Sequence, residues 1–141
     1  MGSINYPRLY EFRFRDVDQS AKQAVWNEIA AHIYGLMGSP SRVLDPAAGR
    51  GEFLNAIPAG ERWAVDAVDQ REYHAAGVTE VVSDIFEADL PVDHFDGVFA
   101  SNLLEHFLSQ EDVARFLVHM RRVMAPGGRI AILGPNFKYC A

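Results

Sequence analysis

Val43-Leu44-Asp45-Pro46-Ala47-Ala48-Gly49-Arg50-Gly51-Glu52-Phe53 is the stretch that decides how the rest of the chain is read. Residues 42–44 have the character of a short buried strand, and residues 52–57 open a helix. The loop between them is built from Ala and Gly, which place almost nothing between the backbone and a ligand. Strand, small-residue turn and helix start form a nucleotide-type site, with amide groups and the positive helix end facing the ligand. A Gly-x-Gly alone serves equally as plain turn chemistry. The context favours a ligand: a second strand over residues 63–68 ends in Asp69, 20 residues after Gly49. That spacing sets a carboxylate at the strand tip, where it accepts both hydrogen bonds of a ribose diol.

At 141 residues and 49% hydrophobic composition, the chain reads as one globular domain, with residues 1–40 as an arm and helix and residues 41–141 as the core. No apolar run approaches the ~18 residues of a membrane span. The first residues lack signal-peptide character, and Tyr6 stands where a myristoylation pattern needs Ser or Thr. The single cysteine, Cys140, forms no internal disulfide and suits a reducing cytoplasm. The formal net charge is −6 and no basic cluster exceeds Arg121-Arg122, so a nucleic-acid backbone meets repulsion over most of the surface. A small-molecule substrate is expected, with neither nucleic acid nor membrane as partner.

Residues 6–14 are aromatic and basic and read as an ordered arm. Asp18 is the expected N-cap of a helix running to about Met37, where Gly38-Ser39-Pro40 ends it. Ala21, Val25, Ile29 and Ile33 form its apolar stripe, widened by Trp26 and Ala30. After the first strand–loop–helix unit come a weak helical turn, a third strand at residues 80–82, and the loop Asp84-Ile85-Phe86. Residues 95–100 are the fourth strand. Ser109 and Asp112 form a capping box for a helix with Val113, Phe116, Leu117, Met120, Val123 and Met124 on one face. Ala125-Pro126-Gly127-Gly128 stops that helix, and residues 129–133 are the fifth strand. Strands alternating with helices predict a doubly wound α/β fold: a mostly parallel, Rossmann-like sheet with helices on both faces.

On Asp45 to Gly51, on the strand-tip acid, and on Ser101-Asn102-Leu103-Leu104-Glu105-His106 after strand four, the sequence resembles the class I S-adenosylmethionine-dependent methyltransferases over nearly its whole length, in particular the methyltransferase-11/12-like members. The family motif is acid-x-Gly-x-Gly-x-Gly; here Ala47 replaces the first glycine, so a positive φ is not expected there. The resemblance implies S-adenosylmethionine as cofactor and S-adenosylhomocysteine as product. The motif would supply Asp45, Ala47, Ala48, Gly49 and Gly51 to the cofactor, and the second-strand tip Asp69 and Gln70. Asp84 would accept from the adenine amine and the Ile85 amide would donate to the ring, with Ser101 at the end of strand four completing the set. The N-terminal helix would lie over the cofactor. The arm either packs on the core or brings Arg13 or Tyr10 to the cofactor carboxylate. Family members continue past strand five with a helix and an antiparallel two-strand finish, which the sequence to Ala141 lacks. The expectation is a C-terminally truncated fold: a fragment of a longer enzyme, or a homo-oligomer closed through the strand-five edge.

Methyl transfer from a sulfonium is an in-line displacement, so positioning supplies much of the rate, up to ~7–11 kcal/mol in well-oriented reactions. A hydroxyl acceptor still gains from a base, and His106, after strand four, is the candidate; the alternative is that it only packs or caps the next helix. Metal-assisted relatives carry Glu-x-x-Glu-His at this place, and Asn102 stands where the first carboxylate would be, so no metal is expected. Adenine methylation of nucleic acid would need Asn/Asp-Pro-Pro-aromatic, and a nicotinamide dehydrogenase G-x-G-x-x-G; neither is present. The expected function is O- or N-methylation of a small molecule, with a cofactor-binding module or fragment without turnover as the alternative.

Overall fold

The computed structural model describes residues 18–136 and residue 138; the expectations for the arm and for Cys140 fall outside them. Helix α1 spans Gln19–Leu36, and the Asp18 side chain caps it by accepting from the amides of Ser20 and Ala21 at 2.9 and 3.4 Å. It ends where Gly38 and Ser39 turn to positive φ before Pro40. The inward face is Trp26, Ala30, Ile33, Tyr34 and Met37. Ala21 and Val25 point outward, Val25 being 58% exposed. With 3.6 residues per turn, a stripe stepped by four residues drifts about 40° per step, so its early members leave the face that its later ones occupy.

Five parallel strands form one sheet in the order β3-β2-β1-β4-β5. They are β1 (Arg42–Asp45), β2 (Glu61–Asp66), β3 (Val78–Val82), β4 (Phe95–Ser101) and β5 (Met124–Leu133). The connections hold helix α2 (Glu52–Ala56), helix α3 (Gln110–Val123), and two 3-10 turns, Arg71–Tyr73 and Leu104–His106. Adjacent residues of the central strands point to opposite faces, as the period of a strand requires. Val43 and Phe99 join one core with Ala30 of α1 and Phe53 and Leu54 of α2, where Phe53 stacks on Phe99 at 3.9 Å between ring centroids. Leu44 and Val98 join the other, with Phe116, Met120 and Val123 of α3. Both faces of the sheet are therefore covered, as a parallel sheet demands.

The Ser109 hydroxyl caps α3, accepting from the Asp112 amide at 3.1 Å and donating to the Asp112 carboxylate at 3.0 Å. Leu117, expected inside, is 41% exposed. Strand β5 begins five residues earlier than expected. Met124 pairs with Phe95 and Arg129 with Gly97, so residues 125–128 are a bulge within the strand rather than a turn before it. Among the described residues β3 and β5 are the sheet edges, and Ile132 on β5 is 45% exposed. No helix among them is long and apolar enough to cross a membrane.

Candidate functional site

A cleft of about 490 Å³ opens at the carboxyl ends of the strands, within the range of ligand sites and beside the reversal of strand order between β1 and β4. Pro46 and Ala47 of the loop after β1 form its floor. Asp66 at the tip of β2 and Asp84 after β3 bring two carboxylates to it. Between these, Ile85 and Phe86 provide apolar wall, and Leu103, His106 and Phe107 from the segment after β4 close the far side.

The strand-tip acid is Asp66 and not Asp69. Strand β2 ends at Asp66 because β3 ends opposite it: Asp66 pairs with Val82, the last residue of that strand. Ala67 and Val68, apolar and read as more strand, are exposed beyond the last ladder pair. One Asp66 oxygen accepts from the Gly49 amide and the other from the Val68 amide, both at 2.9 Å. Asp69 lies outside the cleft lining and pairs with Arg71 at 2.8 Å; its carboxyl is held below the usual range by those Arg71 hydrogen bonds. Gln70 precedes the 3-10 turn and also lies off the lining.

The other expected residues divide in the same way. Ala47, Asp84, Ile85 and His106 line the cleft, and Asp84 accepts from the Phe86 amide at 2.8 Å, which fixes the loop in place. Ser101 does not line it; its hydroxyl accepts from the Asn102 amide group at 3.2 Å. Asp45 sits beneath the loop, buried, accepting from the Ala47 amide at 3.1 Å. Burial pushes its carboxyl up to about 7, against the Ala47 hydrogen bond, with the charges of Asp66 and Glu52 adding to the rise. Gly49 and Gly51 are left-handed at φ 52° and 71°, while Ala47 is not, as the substitution implied. Helix α2 is only five residues long, and the amides of Ala47, Ala48, Gly49 and Gly51 all donate within the protein, to Asp45, the Val65 carbonyl, Asp66 and the Ala48 carbonyl. Arg115 of α3, unforeseen from the sequence, places its guanidinium 4.1 Å from the Phe86 ring centroid at the cleft wall. Among the described residues no group of three or more metal-binding side chains gathers.

A family model described as a methyltransferase domain matches residues 44–132, which is most of the chain and all of this cleft's strand tips. The chain belongs to the class I S-adenosylmethionine-dependent methyltransferases. No curated protein matches the chain. Solved structures do. It is similar to the PH0226 protein of Pyrococcus horikoshii OT3 at TM-score 0.77 and 21% identity, over 98% of this chain and 65% of that one. It is also similar to the 1,6-didemethyltoxoflavin-N1-methyltransferase of Burkholderia thailandensis, whose structure holds 1,6-didemethyltoxoflavin and S-adenosylhomocysteine. There the TM-score is 0.66 and the identity 24%, over 94% of this chain and 65% of that one. A TehB-like S-adenosylmethionine-dependent methyltransferase of Corynebacterium glutamicum follows at 0.69 and 19%, covering 89% and 70%. The chain thus spans 65% of the length of the first two structures. At these identities they share its fold.

Proposed function

We propose that the cleft binds S-adenosylmethionine and that the protein transfers its methyl group in line to an oxygen or nitrogen of a small-molecule acceptor. The observation that carries this reading is one cleft holding two strand-tip carboxylates, Asp66 and Asp84, around the apolar Ile85 and Phe86. That donor set fits an adenosine. Asp66 keeps lone pairs free to accept from a ribose diol, Asp84 accepts from the adenine amine, Ile85 packs on the ring face, and Ala47 lets the rest approach the backbone. The bound cofactor supplies an electrophilic methyl on sulfur. The chain's share is to orient it, exclude water with Leu103 and Phe107, and take a proton from a hydroxyl acceptor at the His106 imidazole. Leu108, which lines the cleft yet is 98% exposed, supports a second reading: a cofactor-binding part whose acceptor side is completed by another segment, without turnover of its own.

Calorimetric titration with S-adenosylhomocysteine tests the cofactor half. Asp66→Ala should weaken binding by about 1.5–3 kcal/mol, the range for hydrogen bonds to a charged group, while Asp69→Ala should leave it in place. A loss confined to Asp69→Ala would return the ribose to that residue. For the acceptor half, His106→Ala should lower kcat by about 10²–10⁴-fold with cofactor affinity kept, and the pH–rate profile should lose its acidic limb. Equal turnover of variant and wild type would leave His106 a lining residue only.

A further inference from the structure

We infer that His74 is a positioning residue for cofactor binding: its imidazole, seated on Glu80 of β3, locks the Gly49 and Gly51 backbone in the left-handed shape that the cleft requires. The inference rests on the cofactor reading of the cleft. His74 follows the 3-10 turn after β2 and its side chain is 3% exposed. Its Nε2 lies 2.8 Å from the Gly49 carbonyl oxygen, so that nitrogen carries a hydrogen and donates. On the other side of the same residue the Gly49 amide donates to Asp66 at 2.9 Å. Both polar groups of Gly49 are therefore held by side chains from the chain that follows β1, not by neighbouring backbone.

The ring also fills the space beside Gly51. A Cβ there would fall 2.5 Å from His74 Cδ2 and 2.9 Å from Nε2. Behind the ring, Nδ1 meets Glu80 Oε1, and among the described residues neither atom has another partner. The segment that presents His74 is itself fixed to α2. The Asn55 amide donates to the Tyr73 carbonyl at 2.9 Å and accepts from the Ala75 amide at 2.8 Å, and Arg50 lies over the Tyr73 ring at 4.4 Å.

A chain of contacts thus runs from Glu80 through His74 to Gly49 and on to Asp66, joining β3, the β2–β3 connection, the glycine loop and the ribose carboxylate. Glycine loses more freedom on ordering than any other residue, so a loop of Ala and Gly that had to be ordered by its ligand would weaken binding. His74 makes that ordering part of folding instead.

The test uses His74→Phe, which keeps a ring but cannot donate, and His74→Gln, whose side-chain amide can donate to the Gly49 carbonyl. S-adenosylhomocysteine affinity is measured by titration calorimetry, and hydrogen exchange is followed at the Gly51 amide, which donates to the Ala48 carbonyl at 2.8 Å. His74→Phe should raise Kd about ten- to hundredfold and speed that exchange, and His74→Gln should recover most of both. Wild-type Kd and exchange in His74→Phe would overturn the role, and so would equal losses in both variants, which would mean packing alone. Should His74→Phe not fold, Glu80→Gln replaces it, and unchanged Kd and exchange there overturn the inference. Wild-type protein that fails to bind S-adenosylhomocysteine would overturn the cleft reading itself, an outcome distinct from a wild type that binds and variants that bind equally.

Discussion

Gly51→Val is expected to be the most damaging single change in the cofactor half, lowering stability by about 2–5 kcal/mol. Two terms add. A left-handed backbone costs a residue with a Cβ roughly 1–2 kcal/mol, and φ here is 71°. The new Cβ would fall 2.5 Å from a buried imidazole, and forcing extra atoms into packed space costs about 1–3 kcal/mol more. A domain with a total of about 5–15 kcal/mol loses a large part of its margin. Gly49→Ala is the control: φ is 52° but a Cβ meets nothing within 4 Å, so only the backbone term applies. Denaturant midpoints should rank wild type, Gly49→Ala and Gly51→Val in that order. Equal midpoints for the two variants would show that the His74 contact is soft.

Asp45 should make the protein less stable as pH rises from about 4 to about 7. In the unfolded chain its carboxyl ionises near the ordinary 3.8, whereas in the fold burial holds the proton until about 7. Between those values the folded state binds more protons than the unfolded one, so stability falls with rising pH and the full cost is present above 7. At about 1.4 kcal/mol per pKa unit the span amounts to about 4 kcal/mol. Glu61 and Asp96, held low by His94 and Arg42, act in a more acidic window and with opposite sign, losing their contribution as pH falls. Burial lowers His119, so its cost is present in acid and fades as pH rises. Asp45→Asn keeps an acceptor for the Ala47 amide and removes only the ionisation. The difference between variant and wild type, followed by chemical unfolding across pH 4–8, isolates Asp45. Parallel curves would refute the burial assignment.

What could be read from the sequence was what local chemistry decides. Asp18 and Ser109 cap their helices through amides two or three residues away, so both helix starts were visible. The glycine loop and the succession of strands and helices that implies a parallel sheet were visible for similarly local reasons. The end of β2 was not, because ladder pairing with Val82 decides it and that partner lies 16 residues further on. Ala67 and Val68 looked like strand to any rule of hydrophobicity, so the strand-tip acid was placed at Asp69, three residues beyond the last ladder pair. His74 gave no signal at all: its partners Gly49 and Glu80 come from two other elements and meet only in the fold. Pro126-Gly127-Gly128 looked like a stop, while the sheet accommodates it as a bulge by pairing on both sides of it.

The place of β1 at the centre of the sheet governs how the chain can assemble. Its pairing with β2 closes over a short connection, but Val43 meets Gly97 only across 54 residues of sequence. Contacts so distant must pay loop-closure entropy before they return anything, which slows folding relative to proteins built from local contacts. During synthesis, at about 5–20 residues per second, the far edge of β1 stays open for several seconds while the intervening helix and strands emerge. In that interval the far edge of β1 keeps its backbone N–H and C=O groups unpaired between the apolar faces of Val43 and Leu44. The strand at the middle of the finished sheet is thus, in the newborn chain, a template for pairing with a stranger.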